Sequence, residues 1–386
     1  SRAALGSTPR AARRAVMATY YVGIGGNDAN DGTSWSSRKL TLNGAEDIPV
    51  AAGDTVYVGP GTYRETLTCD VGGSDGSPIT YIGDYDGSHT DGVGGIVRIS
   101  GSDDDSSIST RTPLISASSK NYRTFKSFVI SDIPGKAILV DNSTDWTLEN
   151  LYFTNSINTG AEIIKTDNAT TNLKIKNCYF TNINGYVIYL YDNVDQSDTN
   201  IVIENCIFNC LGNVVIRSDN IGGVLIRNCT FIGWSAGGAI RVAASLASGQ
   251  TITVNNCIFA NGVGAAVWAT VTGEIIEDYN NFFTPTARTN VSEGAHSTSK
   301  IVNFDTRWFF EMVGGGSMLT PFDLASYSKL INVAGTSPTA KDIRGTAKIG
   351  AEREWGAFEY DSTLDIEAGS GGGGSVKILP LGRIGL

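Results

Sequence analysis

The sequence predicts an all-β chain wound as a single-stranded right-handed parallel β-helix, with a cap at the N-terminal end and a capping region at the C-terminal end. Three observations carry this expectation. A short strand motif ending in asparagine recurs at a near-constant spacing, and a second strand motif recurs between its copies with the same period. The composition is that of a turn-rich β protein, with 46 glycines against 3 methionines in 386 residues.

The first motif reads WTLENLYF, LKIKNCYF, IVIENCIF, VLIRNCTF and ITVNNCIF, and its asparagines are Asn150, Asn177, Asn205, Asn228 and Asn256, spaced by 27, 28, 23 and 28 residues. A weaker copy precedes it at TFKSFVI, with Ser127 in the asparagine position, and another follows at IIEDYNNFF, with Asn280 expected there. Each copy alternates apolar with polar residues and ends in a turn former, which is the pattern of a half-buried strand. The second motif reads AILVDN, EIIKTDN, YLYDN and VIRSDN, with Asp-Asn pairs at 141–142, 167–168, 192–193 and 219–220. Two offset strand families with one period make each period a coil, and like residues of successive coils then stack about 4.8 Å apart. A β-sandwich would not keep so regular a period with the same turn residue.

Stacking assigns most of the notable side chains. The aligned asparagines form a ladder at a turn, while Phe180, Phe208, Phe231 and Phe259 enter the core. Of the six cysteines (Cys69, Cys178, Cys206, Cys210, Cys229 and Cys257), four follow a motif asparagine. They read as buried, unpaired thiols and not as a disulfide framework, and the CxxxC spacing of Cys206 and Cys210 lacks a second ligand pair for a metal. The outward residues before each asparagine are Lys126, Glu149, Lys176, Glu204, Arg227 and Asn255. Their alternating sign suits neighbouring strands held in register, so Lys176 and Arg227 read as ladder members and not as catalytic bases.

The net charge of −10 argues against a nucleic-acid partner, because no general basic field attracts phosphate. No run of about 18 apolar residues exists to span a membrane. The first sixteen residues carry Arg2, Arg10, Arg13 and Arg14 without an apolar run, so no secretory signal peptide is visible there. The domain reading is a basic arm at 1–16, the N-terminal cap and β-helix at 17–285, a capping region at 286–362, and a glycine-rich linker with an apolar tail at 363–386. That tail contains Val376, Ile378, Leu379, Leu381, Ile384 and Leu386 behind a flexible GSGGGGS tether. Arm and tail together read as docking segments for other protein subunits of an assembly.

The segments YYVGIGGNDANDGTSW, AAGDTVYVGPGTYRETL and GSPITYIGD resemble the opening of bacterial and phage β-helix proteins related to polysaccharide lyases. SKLINVAG, DIRG and WGAFEY resemble the closing motif of β-helix proteins with a choice-of-anchor domain, so the resemblance spans roughly residues 18 to 362. It implies the fold; for activity it implies a family that mixes lyases, hydrolases, adhesins and virion proteins. Lyases of this kind pair a Lys or Arg base with acidic residues that hold calcium or neutralise a uronate. The candidates here lie on the second strand family: Lys165, Arg217 and Arg241 on successive coils for catalysis, and Tyr189, Tyr191, Arg217, Arg241 and Trp268 as a strip for an acidic polysaccharide. Asp167, Asp192 and Asp219 beside it could bind calcium, although turn chemistry alone explains Asp-Asn pairs. The two histidines, His89 and His296, sit in Gly/Ser-rich loops without catalytic partners in sequence.

Three functions fit. The first is a structural or adhesive surface protein of a larger assembly, such as a capsid decoration or tailspike-like virion component. The second is a lyase or hydrolase acting on an acidic glycan, and the third is a secreted bacterial adhesin. The expected location is a virion surface or the extracellular space.

Overall fold

The computed structural model describes residues 17–47, 50–104, 111–156, 158–192, 199–210 and 212–299, with the backbone of 310–311 and 323–324. The arm at 1–16 and the tail at 363–386 lie outside the described residues, with all ten of their proposed docking side chains. Three parallel sheets of ten, ten and nine strands run the length of the described chain. Sheet 1 begins at Thr19–Val22, sheet 2 at Gly61–Tyr63 and sheet 3 at Leu67–Thr68. One coil takes Lys136–Asp141 on sheet 3, Trp146–Glu149 on sheet 1 and Tyr152–Ser156 on sheet 2, and the next repeats it at Glu162–Asp167, Lys174–Lys176 and Tyr179–Ile183. The fold is the expected right-handed parallel β-helix. Parallel pairing continues past residue 285, through Arg288–Thr289 on sheet 3 and Thr298–Ser299 on sheet 2.

Asparagine makes the corners. Of the 20 non-glycine residues with positive φ among the described residues, 14 are asparagine, the L-residue that most readily tolerates the left-handed region. The sheet 1 to sheet 2 corner is the predicted ladder: Asn150, Asn177, Asn205, Asn228 and Asn256 have φ between 54 and 55°. The Asn205 amide donates to Asn177 Oδ1 at 3.2 Å, and the backbone N–H of Asn177 donates to the Glu204 carbonyl at 3.1 Å. A second column, not foreseen, makes the sheet 3 to sheet 1 corner with Tyr122, Asp145, Asn172 and Asn200 at φ between 49 and 59°.

Two register expectations need correction. Asn256 aligns with Tyr279 and not with Asn280, because Asn255 pairs with Asp278. Asn280 falls in the cysteine column, fully buried, where its Oδ1 accepts from the Cys257 N–H at 2.9 Å and its amide donates to the Val254 carbonyl at 2.8 Å. In the second motif Tyr191, not Asp192, stands opposite Asp219. Period-two alternation therefore turns Asp192 to the buried side, at 1% exposure.

Side chains stack inside as like on like. Phe153, Phe180, Phe208, Phe231, Phe259 and Phe282 form one column with ring centroids 4.7–4.9 Å apart. All six cysteines are buried and free. The thiols of Cys178, Cys206, Cys229 and Cys257 point at carbonyls of their own turn at 3.2–3.3 Å. Burial pushes the Cys206 and Cys257 thiols well above their ordinary range and Cys69 to about 12. Burial works the same way on Cys229, but hydrogen bonds from Cys206 and Cys257 outweigh it and bring that thiol down to about 5. Because all six are buried, native protein should leave these thiols unreactive toward a thiol reagent at neutral pH, and denatured protein should expose six. Rapid native labelling of the column would show that the coils open.

On the outer face of sheet 1, Lys126 and Lys176 grip Glu149 from either side at 2.8 and 3.3 Å, and Arg227 pairs with Glu204 at 2.6 Å. Burial works against the Glu149 carboxylate, but the two lysines outweigh it and hold it below the ordinary range. Lys176 and Arg227 are thus occupied as register pairs. The two described ends are each tied by a buried carboxylate. Glu46, at the end of the helix Leu42–Glu46, meets Arg123 inside the first coils at 2.7 Å through both oxygens. Glu277 accepts from Arg288 Nε at 2.7 Å, Asn280 Nδ2 at 2.8 Å and Ser297 Oγ at 2.5 Å.

Candidate functional site

The predicted strip is one continuous column. On sheet 3 the register pairs Leu139 with Lys165, Lys165 with Tyr189, Tyr189 with Arg217, Arg217 with Arg241, and Arg241 with Trp268. The strands put these residues outward because their neighbours Ile164, Ile188, Ile216, Ile240 and Val267 are fully buried in the core. Five positions from Lys165 to Trp268 span roughly 19 Å at one strand spacing each. The strip is therefore long and shallow. Lys165 and Arg241 stand three strands apart, roughly 14 Å, so the three basic candidates do not converge on one bond.

Each cation has its own setting. Lys165 Nζ lies 3.6 Å from both Glu162 and Asp167, over the rings of Tyr189 and Tyr191 at 5.5 and 5.2 Å. Arg217 is clamped: Nε and Nη2 donate to the two Asp219 oxygens at 3.0 and 2.7 Å, and Nη1 donates to the Tyr186 hydroxyl at 3.1 Å. The hydrogen-bonded Asp219 carboxylate pushes the Arg217 guanidinium further up, so Arg217 is a fixed charge and not a base. Tyr189 donates to Asp219 Oδ2 at 2.7 Å, and burial followed by that acceptor raises its hydroxyl above the ordinary range.

Arg241 differs. Arg217 is clamped by Asp219, two residues on in its own strand, whereas the same place after Arg241 is Ala243 and Ala244 stands opposite Asp219, so the next coil supplies no carboxylate. Among the described residues Arg241 makes no ion pair. Its guanidinium lies 4.3 Å from the Trp268 ring centroid, and its buried Nε has no hydrogen-bond partner. A cation backed by an indole and open to an outside anion is what an acidic ligand needs.

The expected calcium carboxylates are not gathered. Asp167 and Asp219 are outward and engaged by Lys165 and Arg217, whereas Asp192 is on the buried side. Among the described residues no group of three or more His, Cys, Asp or Glu side chains could hold a metal ion. His89 stacks on Tyr57 at 4.1 Å, and His296 pairs with Asp278 at 2.9 Å while stacking on Tyr279. Both are held against sheet 1 residues and not on the sheet 3 strip. Tyr186, which sequence reasoning missed, holds Arg217; its signal was its place three residues before Tyr189 on the same strand. No helix among the described residues is long and apolar enough to cross a membrane.

Residues 114–283 match the family described as right handed beta helix region. Among solved structures, a rhamnogalacturonan lyase aligns over 81% of this chain and 96% of its own, with 15% identity and a TM-score of 0.55. Pectate lyase Pel9A aligns over 90% of this chain and 97% of its own, with 18% identity and a TM-score of 0.48. An uncharacterized protein of Bacillus subtilis (strain 168), YwoF, is 41% identical over 61 residues, which are 16% of this chain and 13% of that protein.

Proposed function

We propose that this right-handed β-helix acts on an acidic polysaccharide laid along the outer face of sheet 3. The observation that carries the proposal is the unbroken column Lys165–Tyr189–Arg217–Arg241–Trp268, in which Arg241 is a cation lacking a protein counter-ion among the described residues. Successive strands step by about 4.8 Å, close to the length of one sugar residue, so ring faces and cations can repeat in step with a polymer. A uronate carboxylate on Arg241 would be neutralised, and the carbon-bound proton beside it made more acidic. Elimination is the chemistry that such neutralisation favours: a water molecule takes that proton, its electron pair forms the double bond as the bond from the next ring carbon to the glycosidic oxygen breaks, and the departing oxygen takes up a proton from water. The rhamnogalacturonan lyase that shares the fold supports this reading over the capsid or tailspike role that the sequence ranked first.

Incubation with a panel of uronate-containing polymers should give new ultraviolet absorbance from an unsaturated product. Arg241→Ala should weaken polymer binding by about 10- to 100-fold, the loss of one charge-assisted carboxylate contact of roughly 1.5–3 kcal/mol. Binding without any new absorbance or reducing ends would leave a glycan-binding module, and absence of binding to every acidic polymer would end the proposal.

A further inference from the structure

A second surface feature lies around the corner from the strip, where sheet 3 turns into sheet 1. Here Tyr122, Asp145 and Asn172 follow one another on successive coils, all in the left-handed region. They rim an open depression of about 160 Å³, whose other walls include Asp75, Thr147 and Lys174. The volume matches a single six-membered ring, since a cavity of about 150 Å³ holds one benzene. Its walls offer one aromatic ring, two carboxylates, an ammonium, an amide and two threonine hydroxyls. Slight burial and the charges of Asp145 and Asp75 raise the Tyr122 hydroxyl above its ordinary range, so it stays protonated.

We propose that this depression is a second carbohydrate subsite, taking one pyranose residue that is neutral or carries an amino group. A pyranose presents C–H groups on its face, which suit the Tyr122 ring, and hydroxyl donors on its rim, which suit carboxylate acceptors. The two aspartates repel a uronate. The subsite therefore selects the opposite kind of sugar from the Arg241 strip, such as the uncharged branch or alternate residue of a mixed polymer. This inference goes beyond the proposed function and stands without it.

The corner itself supplies a benign test. Register continuation places Tyr122 and Asp145 in line with Asn172 and Asn200. Asparagine is thus already the residue of this column, and Tyr122→Asn or Asp145→Asn should fold with unchanged or raised melting temperature. Binding of cellotetraose, a glucosamine tetramer and tetragalacturonate to the full chain would be measured by calorimetry or saturation-transfer NMR. The expected result is binding of at least one of the first two, weakened tenfold or more by Tyr122→Asn and by Asp145→Asn but not by Arg241→Ala. Tetragalacturonate should show the reverse dependence, so failure of this subsite and failure of the strip are read separately. No binding of either uncharged or amino tetramer at millimolar concentration, or binding indifferent to both corner variants, would overturn the proposal.

Discussion

Arg123→Ala is expected to cost about 3–5 kcal/mol of folding stability, because it leaves a buried carboxylate without its partner. Arg123 stands in a core column between Ile79 and Trp146, and its side chain is 0% exposed while that of Glu46 is 1% exposed. Its two terminal nitrogens each meet a Glu46 oxygen at 2.7 Å, and its Nε donates to the Val71 carbonyl at 2.8 Å. Glu46 also accepts from the Tyr81 hydroxyl at 2.5 Å and the Asp70 N–H at 3.0 Å. Burial opposes the Glu46 charge, but Arg123 and these donors outweigh it and hold the carboxylate below the ordinary range. Its contribution is therefore full at neutral pH and is lost as pH falls through its depressed value. Without Arg123 only the opposing burial is strong, the folded-state value rises above the unfolded one, and protonation favours folding. The stability gap between wild type and variant should be widest near pH 7 and narrower near about pH 4. Denaturant unfolding at the two pH values checks both magnitude and sign; a loss below about 1 kcal/mol would mean that the cap does not depend on this pair.

Phe208→Ala should cost a similar ~3–5 kcal/mol, for a different reason: it opens a gap in the middle of the aromatic column. Phe208 is fully buried and lies 4.9 Å from Phe180 and 4.7 Å from Phe231, with interplanar angles of 7 and 10°. Its rows are locked by parallel pairing with the strands on both sides, so the neighbours cannot close over the cavity without breaking register. Two ring contacts, each worth roughly 0.5–1.5 kcal/mol beyond burial, are lost as well. In a stack of coils the damage is local first: each coil is stabilised by its neighbours, so amide exchange should accelerate in the coils beside residue 208 before the ends are affected. Phe208→Leu, which keeps most of the volume, should cost markedly less. Equal costs for Ala and Leu would show that volume at this site is not what holds the stack.

Most of the solenoid was legible because its physics is repetitive. The asparagine of each VLIRNCTF-like segment marks a left-handed corner, and asparagine tolerates that conformation at little cost. Alternation then decides which residues face inward, so the phenylalanine and cysteine columns and the Lys126–Glu149–Lys176 ladder follow directly. The places where reading failed are those where two registers differ by one residue. YLYDN looks like AILVDN, and IIEDYNNFF looks like ITVNNCIFA, yet Tyr191 and Tyr279 occupy the positions expected for Asp192 and Asn280. Only strand pairing separates such alternatives, and a shift of one residue exchanges the faces.

The sequence by itself determined the coil period, the corner residue and the composition of the sheet 3 strip, since each is a pattern of spacing along one chain. The tertiary structure decided what those side chains are free to do. Asp219 follows Arg217 by two residues where Ala243 follows Arg241, but only the strand pairing sets Tyr189 beside Arg217 and Trp268 beside Arg241. The Glu46–Arg123 pair joins residues 77 positions apart. The Tyr122 depression gathers residues from Asp75 to Lys174. Contacts of that kind depend on which coil stacks on which, a property of the winding and not of any one motif.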